Sequence, residues 1–259
     1  MEPNTTQSNA GSPAPIPVTL EEKINALQTI IDNGKRIVFF GGAGVSTESG
    51  IPDFRSADGL YHQKYKYNPE TILSHTFFMQ KPEEFFEFYR DKMIITDVEP
   101  NITHRFLAEL ETSGKLSGVV TQNIDGLHQA GGSHTVIELH GSIHRNFCMK
   151  CKKFYPLSAM TGTEPVPHCD CGGILKPDVV LYEEGLDEND INTALSLISH
   201  ADVLIVGGTS LSVYPAASFL RYFQGEHLVL INKSATPYDK NADLLIQAGL
   251  GEVFSRLRV

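Results

Sequence analysis

The feature that most constrains this chain is a glycine-rich loop directly after a buried strand. Residues 36–40 read RIVFF, and such a run of β-branched and aromatic side chains is typical of a parallel strand buried on both faces. Residues 41–55 read GGAGVSTESGIPDFR, a glycine loop followed by a segment that glycine and proline keep from being helical. Amides and hydroxyls at the carboxyl end of a parallel strand commonly bind phosphates or dinucleotides. We therefore expect an α/β fold with a doubly wound, Rossmann-like parallel sheet.

The same loop differs from the fingerprint of hydride-transfer enzymes. That fingerprint, G-x-G-x-x-G, needs a third glycine where this chain has Thr47, and no second strand ending in an acidic residue follows at the usual distance. Phe54 and Arg55 follow instead, and they suit stacking on a ring and pairing with phosphates. The loop thus predicts dinucleotide binding without the usual dehydrogenase arrangement.

Two later strand ends also carry polar residues. The block TQNIDGLH at 121–128 follows a short apolar run, and His140-Gly141 follows another at 136–139. Ligands of open α/β sheets bind at the carboxyl ends of strands, so both blocks belong near the glycine loop. A lone histidine is more often structural than catalytic, but His140 stands at a strand end with Gly141 leaving room beside it.

The four cysteines form one cluster in the sequence. Cys148-x₂-Cys151 is followed, after seventeen residues, by Cys169-x-Cys171-Gly172-Gly173, a zinc-ribbon pattern. The second pair departs from the usual C-x₂-C spacing, and His168 is a possible substitute ligand. Four thiolates leave no open position for substrate, so we expect a structural zinc ion. Four free buried cysteines are the alternative.

These blocks together resemble the sirtuins, NAD-dependent protein deacylases, over roughly residues 20 to 259. The motifs that carry the resemblance are GAGVSTESGIPDFR, TQNIDGLH, His140-Gly141 and the cysteine cluster. The resemblance implies that an acyl-lysine oxygen attacks the nicotinamide ribose and that nicotinamide leaves. It implies that His140 is the general base, and that the products are free lysine and O-acyl-ADP-ribose. Here we expect acetyl-lysine on proteins as substrate, with NAD and zinc as cofactors.

The resemblance also implies a set of binding residues. Ile124 and Asp125 correspond to nicotinamide contacts, Asn232 to a contact of the adenosine ribose, and Leu250 to the adenine region. The expected NAD contacts are Gly42, Ala43, Gly44, Thr47, Phe54, Arg55, Gln122, Asn123, Ile124, Asp125, His140, Thr209, Ser210, Asn232 and Leu250.

The substrate side is predicted from two further stretches. Val179 and Val180 correspond to the segment that pairs by its backbone with the substrate peptide, although a plain strand of the main sheet is the alternative. Sirtuins that prefer succinyl-lysine resemble one another in a Tyr-x-x-Arg pair, and this chain has Tyr89 but Lys92 at the arginine position. Because lysine lacks the planar fork of arginine, we expect acetyl-lysine to be preferred.

Composition limits the remaining possibilities. A net charge of -10 over 259 residues argues against nucleic acid as the main partner. Clustered cysteines favour a reducing compartment, so we expect a cytoplasmic protein, and no apolar run is long enough to span a membrane. Residues 1–18 lack the features of a signal peptide and are predicted to be a disordered tail.

The expected organisation is an NAD-binding domain over 19–145 and 175–259, with a zinc-ribbon insertion at 146–174. We favour a monomer. Two other functional classes stay open at this point: a nicotinamide oxidoreductase, and a zinc-dependent module that only binds NAD.

Overall fold

The computed structural model describes residues 19–53 and 66–259, so the predicted tail at 1–18 lies outside the described residues. The strands are β1 Ile37–Gly41, β2 Leu116–Thr121, β3 Val136–Glu138, β4 Gly141–Cys148, β5 Phe154–Tyr155, β6 Leu175–Val179, β7 Val203–Gly207, β8 His227–Ile231 and β9 Leu244–Ile246. The α-helices are α1 Leu20–Asn33, α2 Pro69–Ile72, α3 His75–Gln80, α4 Pro82–Phe88, α5 Ile102–Thr112, α6 Leu127–Ala130, α7 Glu188–His200 and α8 Leu250–Phe254.

Six strands form one parallel sheet in the order β3-β2-β1-β7-β8-β9. Every residue of β1 and of β7 is buried, because helices cover both faces of the sheet. The strand order reverses where β1 lies beside β7, since the chain moves outward from β1 in one direction and from β7 in the other. The predicted doubly wound, Rossmann-like sheet is therefore confirmed.

Each face of this sheet has its own apolar cluster. One packs α1, α5 and α8 against inward-facing residues such as Phe39 and Ile205. The other packs α7 and the 3₁₀ turn Ala216–Tyr222 against Val38, Phe40 and Leu204. Alternate residues of β1 thus point to opposite faces, as strand geometry requires. Helix α1 begins at a capping box, in which Thr19 and Glu22 bond each other's backbone amides.

A second, three-stranded antiparallel sheet in the order β5-β4-β6 lies between β3 and α7 in the chain. Its apolar side packs against α3 and α4 in a third cluster that includes Phe78, Phe85, Phe86 and two of the cysteines, Cys148 and Cys169. The strands of this small sheet frame the predicted insertion at 146–174. Within the described ranges, no helix has the length and apolarity needed to cross a lipid bilayer.

Candidate active site

Two glycine loops meet at the point where the strand order reverses. The amide of Gly44, after β1, donates to the carbonyl of Gly208, after β7, across 2.8 Å. A Cβ atom on Gly44 would lie 2.8 Å from the Gly208 backbone, and Gly208 itself has a φ of +61°. These glycines therefore allow the loops to touch each other. The Gly44 amide is already bonded there, which differs from our expectation that it would donate to a phosphate.

A cavity of about 720 Å³ opens along the carboxyl ends of the sheet strands beside these loops. The predicted residues that line it are Ala43, Gly44, Thr47, Gln122, Asn123, Ile124, Asp125, His140, Val179, Val180, Thr209, Ser210, Asn232 and Leu250. Gly42, which was predicted to contact NAD, is buried and is not among the lining residues. Phe54 and Arg55 lie outside the described residues. One cavity thus collects residues from strand ends that are far apart in the chain, as dinucleotide sites in this fold do.

The carboxylate of Asp125 is held in a defined orientation. One oxygen accepts from the buried Ser46 hydroxyl at 2.7 Å, and the other accepts from the Leu127 amide at 2.9 Å. The side-chain amide of Asn123 donates to the same Ser46 hydroxyl at 3.0 Å. Ser46 therefore links the first glycine loop to the NID block, a role that we had not predicted.

His140 is oriented by a backbone carbonyl. Its Nδ1 lies 2.9 Å from the carbonyl oxygen of Gln122, which can only accept, so a neutral ring carries its proton on Nδ1. Nε2 is then the basic nitrogen. Burial lowers the pKa of His140, and the bond to Gln122 opposes that shift. A neutral imidazole with a fixed basic nitrogen can accept a proton at neutral pH.

The far end of the cavity is organised around Thr209. Its hydroxyl accepts from the Gln122 side chain at 3.1 Å, and its carbonyl accepts from the Asn232 side chain at 2.6 Å. Glu48 also lines the cavity and accepts from the Gly251 amide at the start of α8, across 3.1 Å. These contacts join five parts of the chain: the first glycine loop, the residue after β2, the second loop, the residue after β8 and the start of α8.

Asn101 hydrogen-bonds to the first glycine loop, a role that the sequence did not predict. Its side-chain amide donates to the Val45 carbonyl at 2.8 Å and to the Ser49 hydroxyl at 3.0 Å. Its side-chain oxygen caps α5 through the amides of Thr103 and His104. The N-x-x-H sequence at the start of α5 is a capping signal, but it does not indicate which loop the cap supports.

Val179 and Val180 lie on a sheet edge beside His140. The register of β6 on β4 pairs Val179 with Gly141, and the Val180 amide donates to the His140 carbonyl at 3.0 Å. Strand β6 is an edge strand of the small sheet, not a strand of the main sheet. An edge strand has unpaired backbone groups on one side, and an extended peptide can add there.

The four cysteines converge as the spacing predicted. The Sγ atoms of Cys148, Cys151, Cys169 and Cys171 all lie within 4.8 Å of one another. The Sγ separations are 3.4 Å for Cys148–Cys171 and 3.5 Å for Cys151–Cys169. Tetrahedral coordination with zinc–sulfur bonds of about 2.3 Å places neighbouring sulfurs about 3.8 Å apart, so the donor set fits zinc.

The knuckles around these sulfurs also fit a metal site. The amides of Cys151 and Cys171 point at the sulfurs of Cys148 and Cys169, at 3.4 and 3.5 Å. A Cβ on Gly173 would lie 2.6 Å from the Cys148 sulfur, so glycine leaves the space that the sulfur occupies. His168 donates from Nδ1 to the Val166 carbonyl oxygen at 2.8 Å and is outside the four-sulfur group. The C-x-C pair therefore needs no substitute ligand.

Comparison with known proteins gives one consistent result. Residues 42–215 match the model of the Sir2 family. The chain is 60% identical over 238 residues to an NAD-dependent protein deacetylase of Clostridium acetobutylicum, covering 90% of this chain and 97% of that protein. It is 46% identical over 237 residues to one of Staphylococcus epidermidis, covering 90% of this chain and 96% of that protein.

Solved structures agree. A Sir2 complex with a deacetylated p53 peptide and 3′-O-acetyl-ADP-ribose has a TM-score of 0.83 at 36% identity, covering 90% of this chain and 96% of that chain. A Sir2 complex with a p53 peptide and NAD⁺ has a TM-score of 0.81 at 36% identity, with the same coverage.

Proposed function

This chain belongs to the Sir2 family, and on that premise we propose that it is an NAD-dependent protein-lysine deacetylase that releases nicotinamide and O-acetyl-ADP-ribose. Curated relatives that it matches over nine-tenths of its length carry the name NAD-dependent protein deacetylase. Similar solved structures hold NAD⁺, acetylated peptide or an acetyl-ADP-ribose. Its substrates are NAD and acetyl-lysine on proteins.

The observation that carries the proposal is the position of His140. It stands in the cavity between the two glycine loops on one side and the β6 edge on the other, with a neutral, oriented ring. When bound, NAD supplies a ribose carbon that accepts the acyl oxygen, a nicotinamide leaving group and a ribose hydroxyl to be deprotonated. We assign to Nε2 of His140 the task of holding that proton as general base.

The remaining cavity residues divide into two groups. Asp125, fixed by Ser46, offers a carboxylate acceptor suited to a carboxamide, and Asn123 and Ile124 stand beside it. Thr209, Ser210, Asn232 and Leu250 line the opposite end, where we place the adenosine half of the dinucleotide. Phe54 and Arg55 complete the assignment as residues that cover the cofactor. The roles of the described residues are supported by the fit between donor chemistry and location, and those of Phe54 and Arg55 by the sequence of the loop alone.

We assign substrate-peptide binding to the edge formed by Val179 and Val180. A peptide that adds to β6 gains main-chain hydrogen bonds, which recognise extended backbone irrespective of its side chains. Specificity for the acyl group must then come from the cavity wall, where Lys92 and Met93 lie. This division suits an enzyme that acts on one modified side chain in many sequences.

Zinc is the structural metal, held by the four cysteine sulfurs. When bound, it cross-links the two knuckles and supplies no catalytic group, because four thiolates close its coordination. We retain the division into an NAD-binding domain over 19–145 and 175–259 and an insertion at 146–174. A site that needs four reduced thiols is consistent with our expectation of a cytoplasmic protein.

The experiment that tests the function is an assay of free nicotinamide. Purified protein is incubated with NAD and one peptide carrying acetyl-lysine, and nicotinamide and deacetylated peptide are measured together. We expect equal amounts of both, with no absorbance change at the wavelength of reduced nicotinamide. Such a change would identify an oxidoreductase, and binding of NAD without nicotinamide release would identify a binding module.

A further inference from the structure

Arg90 makes an unusual set of contacts between two parts of the molecule. Its guanidinium donates to three backbone carbonyls of the cysteine module: Met160 at 2.8 Å, Glu164 at 2.7 Å and Pro165 at 3.1 Å. All three acceptors lie in the stretch between Cys151 and Cys169. The cysteine module here means residues 146–174. Arg90 is thus hydrogen-bonded to the loop that joins the two cysteine pairs.

Arg90 belongs to an irregular turn that leads into the active-site cavity. Residues Tyr89–Met93 form a π-helical turn at the end of α4. Such turns are rare and often lie at functional sites. Lys92 and Met93, in the same turn, line the cavity that also contains His140. A displacement of this turn would therefore move the wall of the cavity.

The turn is held on its inner side by aromatic packing. Tyr89 is fully buried and stacks on Phe85, with ring centroids 5.6 Å apart. The Arg90 guanidinium lies 5.5 Å from the centroid of Phe86. These contacts fix the turn to α4. The guanidinium bonds fix it to the module, together with apolar packing of Tyr89 and Met93 in the cluster that contains Met160.

The chemistry of these bonds depends on the shape of arginine. A guanidinium presents several N–H groups in a rigid plane, so it can hold three carbonyls at once, whereas an ammonium group is a point charge on a flexible stem. The acceptors are neutral carbonyls, so these hydrogen bonds fix the orientation of the turn relative to the module without an ion pair. Burial lowers the pKa of Arg90, but the guanidinium remains charged at neutral pH.

We propose that Arg90 is a positioning residue that transmits the folded state of the cysteine module to the acyl-lysine side of the cavity. The assignment of that side to acyl-lysine rests on the proposed function. The contact explains physically how a structural metal site can influence substrate binding without touching substrate. The zinc-closed loop holds three carbonyls, the carbonyls hold Arg90, and Arg90 holds the turn that carries Lys92 and Met93.

The test compares Arg90→Gln and Arg90→Lys with the unchanged protein. Affinity for an acetyl-lysine peptide is measured without NAD, so the result does not depend on turnover. We expect both variants to keep one zinc per chain and to bind NAD within about twofold of the unchanged protein, while peptide Kd rises about tenfold. Where turnover is measured, the change should appear in the peptide KM and not in kcat. The peptide affinity of Arg90→Lys should resemble that of Arg90→Gln, because lysine keeps the positive charge but lacks the planar set of donors.

Arg105→Gln is the matched control, since Arg105 is an exposed arginine on α5 outside the cavity lining. It should leave peptide affinity unchanged. Unchanged peptide affinity in Arg90→Gln overturns the proposal. Peptide affinity equal to that of the unchanged protein in Arg90→Lys also overturns it. So does a loss of peptide affinity that is seen only in samples that have lost zinc. A failure of the proposed function appears separately, as absence of nicotinamide release from the unchanged protein.

Discussion

The large parallel sheet and the cysteine module are stabilised in different ways. The sheet has two apolar clusters, and interior strands such as β1 and β7 are buried along their whole length and paired on both sides. The module has one short hairpin, with β5 only two residues long, and the buried part of its sulfur cluster shares the third apolar cluster. Small units bury too little apolar surface to be stable alone and commonly need a metal. We infer that apolar burial stabilises the sheet and that zinc stabilises the module.

Removal of the zinc ion should have the largest effect, and it distinguishes the module from the large sheet. Chelation should unfold the module and abolish deacetylation, because the folding free energy of such a site comes from metal binding. The large sheet should keep its protection against hydrogen exchange. We would measure zinc content, nicotinamide release and hydrogen exchange of the module amides on the same sample. Added zinc should restore the zinc content, the activity and the protection of the module amides. Activity that persists with well under one zinc per chain would contradict the comparison.

Substitution of His140, which lies in the large region, should leave both regions folded. His140→Ala removes the proposed general base, so we expect deacetylation to fall by at least about a hundredfold while NAD binding is nearly intact. His134→Ala, at an exposed position, is the matched control and should be fully active. Turnover close to that of the unchanged protein in His140→Ala would remove His140 from the mechanism.

Acid should weaken the large region through two buried histidines, in addition to any loss of zinc from the module as its thiolates are protonated. The rings of His104 and His128 lie 4.7 Å apart in a fully buried position, and burial lowers the pKa of His104 to about 4 and that of His128 to about 3. In the unfolded chain both titrate near pH 6.5, roughly. Below that pH the unfolded state binds protons that the folded state excludes, so stability falls as pH falls. Each histidine contributes about 1.4 kcal/mol per pH unit until its folded pKa is reached.

The pH effect is measured as the free energy of unfolding between about pH 6.5 and about pH 4, and bound zinc is measured at each pH so that metal loss from the module is separated from histidine titration. His128→Phe keeps an aromatic ring and removes one titrating group, so the slope should decrease by about 1.4 kcal/mol per pH unit. His134→Gln, the exposed control, should leave the slope unchanged. An identical slope in His128→Phe would show that acid acts elsewhere.

The smallest expected effect concerns the wall where the two regions meet. Lys92 lines the cavity and pairs with Asp91 at 3.0 Å, whereas Tyr89 is fully buried and outside the lining. Among the described residues, the Tyr89 hydroxyl has no hydrogen-bond partner. The tyrosine of a carboxylate-binding pair therefore does not reach the cavity, and a point-charge lysine cannot form two parallel bonds. We expect kcat/KM for an acetyl-lysine peptide to exceed that for the succinyl peptide by about tenfold.

Lys92→Arg sharpens this test, because it introduces a planar fork at the same position. It should raise the succinyl value relative to the acetyl value, and Lys66→Arg, at an exposed site, should not. A succinyl value equal to the acetyl value in the unchanged protein would mean that Lys92 alone recognises the distal carboxylate.

Much of the fold was predictable because its signals are local. The all-apolar run before Gly41 identified a buried parallel strand, and the two cysteine pairs identified the metal module. The T-x-x-E sequence at Thr19 is likewise a local signal, a capping box at the start of α1. Each signal lies within a few residues of the element it predicts, so side-chain pattern and turn chemistry are sufficient to recognise it.

By itself, the sequence determined the class of fold, the family, the sulfur cluster and which residues lie at strand ends. Only the tertiary structure decided how those ends are connected. Ser46 bonds Asp125 from 79 residues away, Arg90 bonds Met160 from 70 residues away, and Gly44 contacts Gly208 across the sheet. No local pattern encodes such pairs, because each depends on the relative placement of packed elements. That placement is set by the burial of whole strand and helix faces, to which single residues contribute only in combination.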